Sequence, residues 1–212
     1  MLDSRGHSAS DKPHTPAAYT LPERVGDVMA VLDALHVQQA HFFGYSMGGW
    51  IGFGMAKYAP QRVCSLILGG AHPYPDRRWE AFRQVDGSDP EAFTAALEAV
   101  VGEPIPIEIK PLVLAGDLRA LAAAAQERLS ADQDLMTVAM PCLLFAGEED
   151  ARYAAVREYA RQLPRASFVA LPGLNHIAAY VRSDFVVPHI MQFLARVPGR
   201  HIRPIRRPCD RG

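Results

Sequence analysis

Three short apolar runs in this chain each break off at glycine: "AHFFG" at residues 40–44, "VCSLILGG" at 63–70 and "CLLFAG" at 142–147. An apolar run without alternation is what a strand buried on both faces requires, and such strands belong to parallel sheets covered by helices. A weaker run, "SFVALPG", starts at Ser167. Helical patterns fill the intervals. In "TLPERVGDVMAVLDALH", residues 20–36, Thr20 stands three residues before Glu23 in capping-box spacing, and Val25, Val28, Met29, Leu32 and Leu35 recur on one face. Met47 to Tyr58 reads as a helix stopped by Pro60, and Arg152 to Leu163 as another. Asp184 to Arg196 follows, with a kink expected at Pro188. Strand alternating with helix predicts an α/β fold, a mostly parallel sheet with flanking helices.

Residues 72–138 break this rhythm. They hold helical stretches at 77–85, 90–101, 107–114 and 118–129, punctuated by Pro73, Pro75, Pro104 and Pro106. The expected organisation is therefore a discontinuous core, 1–71 and 139–198, with a small helical cap over 72–138. The arginine-rich, proline-broken residues 199–212 read as a solvated tail.

Composition narrows the function. Close to half the chain is hydrophobic (49%), which supports a packed core, and the net charge of −1 offers no attraction to nucleic acid or an anionic membrane. Cys64, Cys142 and Cys209 have no metal-like spacing; the first two fall inside apolar runs and read as core thiols, so no disulfide framework, metal or cofactor is expected. With no apolar run of membrane-spanning length and no signal-peptide pattern at the start, the expectation is a soluble, cytoplasmic protein.

Chemistry enters at "GYSMG", residues 44–48, where Gly-x-Ser-x-Gly joins an apolar strand to a helix. In that context the turn is sharp and strained, the glycines avoid collisions with neighbouring backbone, and Ser46 Oγ is lifted clear of the sheet. The helix N-terminus, with the Met47 N–H, then faces whatever Ser46 attacks and can stabilise an oxyanion. A serine hydroxyl needs a base, and the base an orienting acid. Of eight histidines, His176 in "LPGLNH" follows a strand in a loop from which it could reach over the sheet edge. His72 follows another strand and could line the site, His41 opens a strand, His189 and His201 lie on or beyond the last helix, and His7, His14 and His36 look peripheral. For the acid, Asp150 ends "FAGEED" at the C-terminal tip of a parallel strand, with Glu148 and Glu149 as competitors. The order Ser46, Asp150, His176 is the one expected for this architecture.

Taken together these segments resemble the α/β-hydrolase superfamily, in its serine-nucleophile esterase and lactonase branch. "DSRGHSAS", from Asp3, resembles the D-x-R-G-H-G-x-S loop after the family's fourth strand, with Ser8 in place of a glycine. "GYSMGG" resembles the nucleophile elbow, "GEED" the G-x-x-D acid loop and "GLNH" the G-x-x-H loop of the base. The resemblance runs from residue 1 to about residue 198 and implies a Ser46–Asp150–His176 triad; Met47, Tyr45 and His72 are the expected oxyanion and binding residues beside it. It implies hydrolysis of a small carboxylic ester, with lactonase, thioesterase, carbon–carbon hydrolase and acyltransferase chemistry open. Dehalogenase and epoxide hydrolase chemistry is disfavoured, since those relatives carry aspartate at the nucleophile.

The resemblance begins inside what would be the end of the fourth strand. On that reading three strands and the His-Gly loop that donates a second oxyanion N–H are missing, and losing one such donor costs about 2.7–4 kcal/mol of transition-state stabilisation. Two readings follow: a truncated form of a longer hydrolase, or a short variant that completes its sheet through a partner. Either leaves an apolar strand edge at "AHFF" and predicts a dimer or larger assembly, strand-swapped forms included. A weakly active or non-catalytic binding subunit is the competing functional expectation.

Overall fold

The computed structural model describes residues 1–128 and 138–197. It contains four parallel strands, β1 (Ala40–Tyr45), β2 (Val63–Gly69), β3 (Cys142–Gly147) and β4 (Ala166–Leu171), hydrogen-bonded in the order β1-β2-β3-β4. Eight α-helices accompany them among the described residues: α1 (Leu21–Ala34), α2 (Met47–Tyr58), α3 (Pro90–Val101), α4 (Lys110–Leu114), α5 (Leu118–Glu127), α6 (Tyr153–Gln162), α7 (His176–Val181) and α8 (Ser183–Arg196).

Alternation along each strand sorts its side chains between two cores. Leu66, Leu68, Cys142, Leu144 and Ala146 pack with α1, α2 and α6 on one face. Ile67, Leu143, Phe145 and Leu171 pack with α7 and α8 on the other. This is why the β2 and β3 runs show no polar alternation: both faces are dry. Cys142 accordingly lies buried, its thiol pushed up to about 12 by desolvation, whereas Cys64 is only half-buried, so the expected core thiol is partly a surface one. Cys209 and the tail over 199–212 lie outside the described residues, as does the end of the predicted helix 118–129.

Helix boundaries follow local chemistry. Thr20 caps α1 by accepting from the Glu23 N–H, and Asp89 and Asp117 cap α3 and α5. The stretch expected to be helical from Arg77 to Val85 is a 3-10 turn over Arg77–Phe82, capped by Asp76. Between β2 and β3 the described residues contain helices and turns. Phe82, Phe93, Ala96, Val100, Ala122 and Ala125 form a separate apolar cluster there. α5 also packs on Tyr19 through Ala120, Ala123 and Ala124, which closes this helical layer over the C-terminal ends of the strands. α8 runs through Pro188 as one element, where a kink is expected from sequence.

Candidate active site

Ser46 sits between β1 and α2 with φ 52° and ψ −109°, a left-handed backbone that a side chain rarely adopts. Its N–H donates to the Gly69 carbonyl oxygen at 2.8 Å, which ties the turn to the end of β2. The turn is that tight because Gly44 and Gly48 touch: a Cβ on Gly44 would lie 2.2 Å from the Gly48 carbonyl oxygen. At Gly48 itself an added Cβ would meet nothing within 4 Å, so of the two glycines flanking the serine only the first is sterically required.

His176 is the first residue of α7 rather than a loop residue. The Asn175 side chain accepts from the Ala178 N–H at 2.8 Å and starts the helix there. The imidazole is buried and held from behind by Tyr45, whose ring centroid is 5.1 Å away and whose hydroxyl donates to the His176 carbonyl oxygen at 2.7 Å. Burial, and the nearby Asp150 charge, keep that phenol protonated at any neutral pH.

Asp150 follows β3. Its Oδ2 lies 2.6 Å from His176 Nδ1, and its Oδ1 accepts from the Arg152 N–H at 2.8 Å. Burial by itself would raise the carboxyl. The hydrogen bond from His176 and the Arg152 interactions outweigh it and hold Asp150 below the ordinary range. An ionised carboxylate can only accept, so Nδ1 carries the proton and Nε2 is left as acceptor toward Ser46 Oγ, 3.0 Å away. Glu148 and Glu149, the competing acids, are exposed.

Arg152, which sequence reading missed, links this acid to the helical layer. Its guanidinium donates to the carbonyl oxygens of Val100 and Val101 at the end of α3 and lies 3.8 Å from Asp76 and 3.7 Å from Asp150. Asp76 is in turn bidentate to Arg78 at 2.8 Å on both oxygens.

Above Ser46 and Met47 lies a cavity of about 390 Å³, large enough for a small organic molecule. Trp79, Phe82, Phe93, Leu97 and Val100 form much of its wall, with Arg24 and Arg128 among the polar members. Met47 is the first residue of α2, so its N–H belongs to the helix-end donors that have no intrahelical partner. His72 lines a smaller niche beside Ser46, and burial pushes its pKa down to about 4. His7, expected to be peripheral, lies on the cavity wall with Gly6 and Ser8. Ser8 there has φ 46°, a conformation natural to glycine, where the resemblance has one. Among the described residues no group of three or more His, Cys, Asp or Glu could hold a metal ion, and no helix is long and apolar enough to cross a membrane.

This geometry can be set beside known proteins. The 3-oxoadipate enol-lactonase 2 of Acinetobacter baylyi is 32% identical over 163 residues, covering 70% of this chain and 60% of the relative, so the chain spans less than two-thirds of that protein. The structure of a hydrolase from Pseudomonas aeruginosa PA01 superposes with a TM-score of 0.75 at 28% identity, covering 91% of this chain and 77% of that one. An enol-lactonase from Burkholderia xenovorans LB400 does so with a TM-score of 0.72 at 26% identity, covering 91% and 79%. Residues 1–106, which include the Ser46 elbow, match the family described as alpha/beta hydrolase fold, and the chain belongs to that family.

Proposed function

We propose that the chain is a serine hydrolase that cleaves a small carboxylic ester through an acyl-enzyme on Ser46. The observation that carries this reading is the unbroken line from Ser46 Oγ through His176 to Asp150, at 3.0 Å and 2.6 Å, at the floor of an apolar cavity. Ser46 Oγ attacks the ester carbonyl carbon while His176 Nε2 takes its proton. Asp150 keeps Nδ1 protonated and offsets the charge of the imidazolium. The carbonyl oxygen becomes an oxyanion facing the Met47 N–H and the α2 dipole. Collapse expels the alcohol, which takes the proton from Nε2. A water molecule, deprotonated by His176, then releases the acid and restores Ser46.

A lactone is an ester whose alcohol stays tethered to its acyl group, so the same steps open its ring. The enol-lactonase relatives favour that form of the substrate. The reading is tested with p-nitrophenyl butyrate, a simple lactone and a fluorophosphonate probe. Wild type should turn over at least one of the first two and label at Ser46. Ser46→Ala should lose both properties while melting like wild type. Turnover that survives in Ser46→Ala removes this mechanism.

A further inference from the structure

The main cavity and the small niche share Ser46, Met47, Trp79, Arg128 and Arg152, so the two meet at the nucleophile. The niche measures about 20 Å³, room for one small polar group rather than for a separate ligand. It can hold a single water molecule, and a ligand group that displaces that water must belong to a molecule whose body fills the main cavity.

Two of the residues lining the niche, Arg128 and His72, each have a buried polar atom without a hydrogen-bond partner, Arg128 Nη1 and His72 Nδ1. Buried polar atoms without a partner are costly, and a guanidinium more so than a neutral group. Arg128 is also held in place before any ligand arrives: its Cζ lies 3.8 Å from the Trp50 ring centroid and 5.2 Å from that of Trp79. Burial lowers its pKa to about 9, which still leaves a cation at neutral pH.

The surrounding charges leave room for an anion. Asp76 and Asp150 are engaged by Arg78, Arg152 and His176. Glu127 then lies in the field of both Arg24 and Arg128, with burial raising its own pKa. Arg24 directs its donors to the Tyr19 and Ala124 carbonyl oxygens and the Met47 sulfur, whereas Arg128, which lines the niche, keeps an unpaired donor at Nη1.

We propose that the Ser46 site takes an ester or lactone bearing a free carboxylate, which Arg128 binds in the niche while the uncharged body of the substrate occupies the apolar cavity. The chemistry rests on the serine-hydrolase reading; the carboxylate rests on Arg128 and its unpaired donor. A planar carboxylate matches the guanidinium fork, and His72 can add a second donor from its neutral ring.

Glutarate and its uncharged diamide, glutaramide, are suitable probes for calorimetry on the full chain. Wild type should bind glutarate at least about tenfold more tightly, and Arg128→Met should erase that preference. Arg128→Lys keeps the charge but loses the fork, and its preference should fall several-fold, which decides the matter if Arg128→Met does not melt cooperatively. Equal binding of the two probes by wild type, or an unchanged preference in the folded variant, overturns the proposal. Turnover adds a second readout: the ratio of kcat/KM for p-nitrophenyl hemiglutarate over p-nitrophenyl pentanoate should exceed about ten and collapse in Arg128→Met. Glutarate preference without fluorophosphonate labelling of Ser46 would sink the hydrolase and keep the anion site. Labelling without the preference would do the reverse.

Discussion

The backbone of Gly44 presses on the carbonyl of Gly48, so that a single methyl group on the former would sit 2.2 Å from that oxygen. The obstacle is backbone rather than a side chain that could swing aside. Gly44→Ala should therefore cost more than the roughly 1–3 kcal/mol typical of overpacking and displace Ser46 with it. Gly48→Ala meets open space inside a helix and should be neutral or slightly stabilising. Thermal melts and fluorophosphonate labelling of the two variants check this; equal losses in both would refute it.

Asp150→Asn should lower kcat by on the order of 10⁴, because an amide facing Nδ1 favours the wrong imidazole tautomer. Glu148→Gln and Glu149→Gln change exposed side chains and should leave kcat within about twofold, since surface substitutions away from a site do little. A damaging effect at either glutamate would move the acid to a different position.

Stability should fall with acid in a window set by His72. Burial takes its pKa from 6.5 to about 4, so the folded state binds fewer protons than the unfolded chain between those values. The stabilisation is full above pH 6.5 and is lost as pH falls toward 4, at most about 3 kcal/mol. The charges that act on this ring are Asp76, Arg152, Arg78 and Arg128. His7, also lowered by burial, adds a slope of the same sign. Denaturant melts at pH 7, 6, 5 and 4 should show a shallower decline in His72→Gln than in wild type. Parallel curves would exclude His72 as the group responsible.

β1 stands at the end of the strand order and its Phe43 is 56% exposed, so an apolar strand pairs on one side only among the described residues. Such an edge promotes association. The 212-residue chain on its own should scatter light as a dimer or larger species at low micromolar concentration, and Phe43→Lys should shift it toward monomer mass. A wild-type monomer would show that this edge is protected.

Strands and the elbow were legible because burial on both faces writes an uninterrupted apolar run, and a strained turn demands glycine at Gly44. The acid was less so: "GEED" offers three carboxylates, and which one turns inward depends on how the chain bends after Gly147. α7 went unread even though Asn175 carries a capping signal, because its six residues are too few for a hydrophobic period. The arginines were invisible for another reason. Arg24 lies on a helix whose spacing marks an apolar face, and Arg128 and Arg152 follow a helix and a turn, positions where arginine is ordinarily solvated. Long-range packing against Trp50 and against the end of α3 brings them to the serine, and no local pattern encodes that.

The Arg152 linkage has a consequence for traffic through the site. Its side chain grips the last carbonyls of α3 while its main chain holds the acid, so swinging α3 outward would unseat Asp150 at the same moment. A hinge on that flank would loosen the hold on Asp150 whenever it admitted a molecule. Elsewhere on the lining, Leu112 faces the cavity yet stays 75% exposed. Arg152 bonds to the end of α3 and approaches Asp76 and Asp150, not the short helix α4 that carries Leu112, so a shift of α4 would not pull on Asp150.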